Sequence, residues 1–137
     1  MTQNKTRILV NWFLVLAYCS AVFFLSSSAS PQALPSFANA DKIMHFIAFF
    51  ILGILFFRAY RAWKMKPLYL VVLTLISSTL FGALIEIRQY YLPYRSAEIN
   101  DIFADVVGCL AGIAVYLVFI RINHLFAAEK KRTSTTI

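Results

Sequence analysis

Apolar positions in this chain come in unbroken blocks. They do not recur every second residue, as in a half-buried strand, or at the 3.6-residue period of an amphipathic helix. Four blocks, 8–25, 43–57, 68–85 and 102–120, carry no charge apart from Asp105. A helix that crosses the hydrocarbon of a bilayer needs about 20 apolar residues. Three blocks meet this, and the second does when its polar flank from Asp41 and its basic end near Arg58 are included. The pattern predicts an all-α membrane protein, a four-helix bundle with helices at roughly 8–25, 41–60, 67–88 and 100–121 in one domain over 1–137. Barrel strands would alternate apolar and polar positions, and no block does so.

The punctuation between blocks agrees. Pro31 and Pro35, in an uncharged Ser/Pro/Ala segment, stop the first helix. Asn39 or Asp41 is expected to cap the second, Pro67 to open the third, and Asn100 or Asp101 to open the fourth. The fourth helix is expected to end near Arg121, with a polar, disordered tail over 122–137. The first block is longer than the 7–15 apolar residues of a signal peptide, which reads as a retained helix even though Ser28-Ala29-Ser30 could be a cleavage site.

Charge adds direction. The net charge is +7, yet only 14% of residues are charged, against about 25% in a soluble domain. The basic residues flank the apolar blocks, which suits membrane lipid headgroups and argues against nucleic acid. With both termini inside, Lys5, Arg7, Arg58, Arg61, Lys64, Lys66, Arg121, Lys130, Lys131 and Arg132 fall on the cytoplasmic face. Only Lys42, Arg88 and Arg95 fall outside. Cytoplasmic loops are the Lys/Arg-rich ones, so the expected orientation is N-in, C-in. The same assignment puts Asp41, Glu86, Glu98, Asp101, Asp105 and His45 on the outer side, leaving Glu129 inside.

An acid facing lipid costs a few kcal/mol, so such residues turn inward and find partners. Asp41 and His45 share a helix face at i and i+4, as do Asp101 and Asp105, while Glu86 and Gln89 stand at i and i+3. Three helices offering an inward polar pair predict a common pocket of Asp41, Lys42, His45, Glu86, Gln89, Arg95, Asp101 and Asp105. Arg95 follows Pro93, and its planar fork suits a carboxylate or phosphate. His45, Glu86 and Asp105 are the candidates for acid–base catalysis. His45 with Glu86, Asp101 or Asp105 is a mixed nitrogen and oxygen set that could hold a divalent metal. Cys19 and Cys109 lack metal-site spacing and read as packing residues, with a disulfide between them as the alternative. Gly108-x-x-x-Gly112 gives the fourth helix a small face for close approach, inside the bundle or against a second protomer.

The elements Asp41-Lys42-x-x-His45-Phe46, Glu86-x-x-Gln89, Arg95-Ser96 and Asp101-x-x-x-Asp105-x-x-Gly108-x-x-x-Gly112 resemble the VanZ-like family in order and spacing. Position 105 is more usually Asn in that pattern, so Asp105 makes this site more acidic. Arg88 is also unusual inside the Glu-x-x-Gln element. The resemblance implies a small multi-pass protein of the bacterial cytoplasmic membrane with an envelope role. The family takes its name from a protein associated with resistance to teicoplanin-type glycopeptides. No reaction follows from it.

Two functions remain open. One is recognition of a lipid headgroup or a cell-wall-linked ligand by the outer pocket, in envelope maintenance or glycopeptide-type resistance. The other is an intramembrane enzyme for a lipid or lipid-linked substrate that uses His45 and the acids, with or without a metal. A transporter would need polar residues through the full depth, and the inner halves of the blocks have few.

Overall fold

The structure is a computed structural model that describes residues 2–28, 39–93 and 97–135. It contains helices α1 (Thr2–Ser28), α2 (Ala40–Arg61), α3 (Pro67–Tyr90) and α4 (Ile99–Thr135), with no strand among the described residues. Each is long and apolar enough to cross a membrane. The all-helical, four-span expectation is therefore borne out. Asn39 precedes α2 in the left-handed region, at φ 60°, and makes no capping hydrogen bond through its side chain. Asn is one of the few side chains that tolerate this conformation. Pro67 opens α3 as its first residue, where the missing N–H costs nothing.

The fourth helix departs from expectation. It does not end near Arg121 but continues to Thr135, so the disorder expected over 122–137 does not hold for 122–135. No Pro or Gly follows Gly112, and the stretch from Arg121 to Lys130 is rich in helix formers. Its side chains are exposed. Polarity alone does not end a helix, because the backbone bonds are internal to it.

Helices α2, α3 and α4 pack around one another, and α1 lies against α2 and α3. Contacts pair the start of α2 with the start of α4, and both with the end of α3. Helices α2 and α4 therefore run parallel, with α3 antiparallel to both. Glycines set the closest approach. A Cβ at Gly108 would fall on the carbonyl oxygen of Phe46, one at Gly112 on that of Phe50, and one at Gly53 would sit 2.6 Å from that of Cys109. Backbone meets backbone here, so the Gly108/Gly112 face is occupied by α2 of the same chain. Phe49, Leu52, Ile85 and Val15 fill the core beside this seam.

One end of the bundle is aromatic, with the Trp12 ring near Phe56, Tyr60 and Trp63 at centroid separations of 5.2–6.3 Å. The opposite end is acidic. Between them, apolar side chains such as Phe13, Ile47, Leu80, Val107 and Phe119 face outward. That exterior suits lipid rather than water.

Candidate functional site

The site is built where α2 and α4 begin and α3 ends. Four-residue spacing brings Asp41 and His45 onto one face of α2, and Asp101 and Asp105 onto one face of α4. Glu86 and Gln89 end the buried face of α3. Among the sequence-predicted residues, His45, Glu86, Gln89, Asp101 and Asp105 are all buried, Gln89, Asp101 and Asp105 completely.

His45 is at the centre. Its Nδ1 lies 2.9 Å from Asp105 Oδ1, and its Nε2 lies 3.8 Å from Glu86 Oε1. With Asp105 ionised, Nδ1 carries the proton and donates it to the carboxylate, which leaves Nε2 as the acceptor. The gap to Glu86 is too long for a hydrogen bond. Glu86 Oε2 instead accepts the backbone N–H of Glu98 at 2.9 Å, which ties the end of α3 to the start of α4. Lys42 Nζ forms an ion pair with Glu98 Oε2 at 2.7 Å and a looser one with Asp101 Oδ1 at 3.5 Å. Asp41, His45 and Asp101 each offer a ligand atom, all within 4.8 Å of one another.

Several buried polar atoms have no hydrogen-bond partner among the described residues. They include Glu86 Oε1, both oxygens of Asp101, Asp105 Oδ2, and both polar atoms of the Gln89 amide. Each such atom costs about 1–3 kcal/mol of desolvation without return. Most buried polar groups are satisfied, so a concentration at one end of the bundle marks a place built to meet something else.

The structure does not gather every predicted residue. Arg95, with Ser96, lies outside the described residues. Arg88 stands over the Phe23 ring, 4.5 Å from its centroid, on the α1 side. Cys19 and Cys109 are both free thiols, and Cys109 donates to Ser78 Oγ at 3.3 Å.

Some contributors were missed by sequence reasoning. A Cβ at Gly82 would fall on Asp105 Oδ2, so this glycine makes room for the carboxylate beside His45. Thr74 and Ser78, both buried, continue the same face of α3 away from the acidic end. The signal was the i, i+4 run of Thr74, Ser78, Gly82 and Glu86, whose small and polar members break the otherwise apolar block. Glu98 was read as an outer acid only, yet its backbone and carboxylate link Glu86 to Lys42.

A helical protein with four candidate membrane spans and a buried histidine–carboxylate cluster at one end of its bundle is the class that fold and site define. The chain belongs to the VanZ/LLP1 family, whose model matches residues 2–120. It is 30% identical over 108 residues to an uncharacterized protein of Schizosaccharomyces pombe (strain 972), C11E3.10. That alignment covers 78% of this chain and 61% of the relative, so the chain spans about three-fifths of that protein's length. No solved structure matches the chain.

Proposed function

We propose that the chain is an envelope-membrane protein that recognises the polar headgroup of a membrane lipid at its acidic end, on the exterior side of the cytoplasmic membrane. The observation that carries this reading is the set of buried acceptors, with the Gln89 amide, that have no hydrogen-bond partner among the described residues at one end of the bundle. A headgroup entering laterally from the bilayer would satisfy them, while its acyl chains lie along the apolar exterior. The Lys/Arg asymmetry of the loops supports the exterior side. Glycopeptide resistance is an association of the family, and this reading does not depend on it.

The test is native mass spectrometry of the purified chain with mixtures of phospholipids that differ only in headgroup. Selective retention of one headgroup, lost in Glu86→Gln and Gln89→Leu, supports the reading. Retention governed by acyl chains alone contradicts it.

A second reading is intramembrane catalysis on a lipid or lipid-linked substrate. It is favoured by the 2.9 Å pairing of His45 Nδ1 with Asp105, which orients Nε2 as a base toward Glu86. Product formation by the purified protein that disappears in His45→Ala would establish it. No turnover across a broad lipid panel, with and without divalent metals, would count against it.

A further inference from the structure

We propose that the acidic end holds a divalent first-row metal ion, ligated by His45 Nε2 and the carboxylates of Asp41 and Asp101, with Asp105 as the residue that orients the histidine. Three independent features lead there.

The first is the donor set. Asp41, His45 and Asp101 present ligand atoms within 4.8 Å of one another. Three atoms bound to one ion at about 2.0–2.2 Å lie roughly 3–4 Å from one another, so the three side chains draw in by about an ångström to complete this part of the shell. One imidazole with carboxylates is chemistry that suits Mn, Fe or Zn.

The second is the histidine itself. A metal-bound histidine characteristically donates its other ring N–H to a carboxylate, which fixes its tautomer and aims the free nitrogen. His45 does this through Nδ1 to Asp105. Its Nε2 then faces Glu86 Oε1 at 3.8 Å. That separation is too long for a hydrogen bond.

The third is the pattern of unmet acceptors. Asp101, one of the three donors and fully buried, has no hydrogen bond to either carboxylate oxygen among the described residues. Its one ion-pair contact among them is the loose 3.5 Å approach of Lys42 to Oδ1. Lys42 is more closely engaged with Glu98, at 2.7 Å. A divalent ion compensates the buried Asp101 carboxylate in a low-dielectric setting where an unmatched charge is costly.

The ion also deepens the headgroup reading. An acidic cluster alone repels a phosphate, whereas a cation held by it attracts one. The site would then take phosphate-bearing headgroups through the metal. This consequence rests on that reading, but the metal site does not.

The test uses the full chain purified without a histidine tag, in detergent micelles, with the metal alone as probe. Equilibrium dialysis against Zn²⁺ and electron paramagnetic resonance with Mn²⁺ are expected to give about one ion per chain with imidazole-nitrogen coupling to the manganese. Asp101→Asn is expected to abolish binding, and Asp105→Asn, which still hydrogen-bonds Nδ1, to weaken it by about 10–100-fold. Glu129→Gln, far from the site, is expected to leave binding unchanged. No saturable binding by the wild-type protein overturns the proposal, as does binding without the nitrogen signal or binding unaltered in Asp101→Asn. Because no lipid is needed, a protein that binds no metal in these assays and still selects headgroups overturns this inference and leaves the headgroup reading standing.

Discussion

His45 and Asp105, sixty residues apart in the chain, meet across the α2–α4 seam in a 2.9 Å contact where both side chains are buried. The pairing is what the glycines of that seam make possible. With Gly108 and Gly112 letting α4 rest on the carbonyls of Phe46 and Phe50, the turns above are close enough for an imidazole to reach a carboxylate.

Removing the imidazole alone leaves Asp105 buried without its counterpart. Leaving a buried group without its hydrogen-bond partner costs about 1–3 kcal/mol, and more when the group is charged. His45→Ala is therefore expected to be strongly destabilised in chemical unfolding in micelles. Adding Asp105→Asn to it is expected to restore part of the loss, because the stranded charge is gone. If the double variant proves less stable than His45→Ala, the pair is not a buried charge interaction.

Gln89 separates function from folding. Its amide is fully buried and has no partner among the described residues, so it contributes desolvation cost without a bond. Gln89→Leu, of similar size, is expected to leave stability unchanged or raise it by about 1–2 kcal/mol. Headgroup retention should fall in the same variant. Lower stability would show that the amide is satisfied in the bilayer by the protein itself.

The glycines divide into two kinds. At Gly108 and Gly112 an added methyl meets backbone, which cannot move aside, and each alanine substitution is expected to cost about 1–3 kcal/mol. At Gly82 the methyl meets the Asp105 side chain, which can. Gly82→Ala is expected to unfold close to wild type while losing whatever activity or binding needs Asp105 on His45. Parallel unfolding and binding measurements on the three variants check this split.

Orientation is open to labelling. In a background with Cys19→Ala and Cys109→Ala, a cysteine at Asn39 is expected to react with a membrane-impermeant maleimide in intact cells. One at Lys64 is expected to react only after lysis. The reverse pattern would put the acidic end in the cytoplasm and remove an exterior ligand from consideration.

Much of this was legible before the fold. Helices that cross lipid are apolar on all sides, so their blocks stand out without any periodicity. Acids and a histidine at their ends stand out equally, since few reasons exist to place them there. His45, Glu86, Asp101 and Asp105 were found in this way, and the structure brings them together. What sequence could not show depends on contact between helices. Gly82 reads as filler until Asp105 is seen to occupy its missing side chain. The partner of the Gly108/Gly112 face is a pair of carbonyls with no residue signature. The end of α4 was misread for a different reason: a polar stretch beyond a span looks like a tail, but its helix needs no burial to keep its own hydrogen bonds.

The account depends on His45 and Asp105 being in contact inside the bilayer. Solid-state NMR can measure this in liposomes, as the dipolar coupling between the ¹⁵N-labelled ring of His45 and the ¹³C-labelled carboxyl carbon of Asp105. A hydrogen bond of 2.9 Å to one carboxylate oxygen requires a nitrogen-to-carbon separation of about 4 Å or less, which gives clear dephasing. Dephasing of that strength, lost in Asp105→Ala, is the predicted result. A ring nitrogen of His45 with no carboxyl carbon within reach would contradict it, and the candidate site would be lost with it.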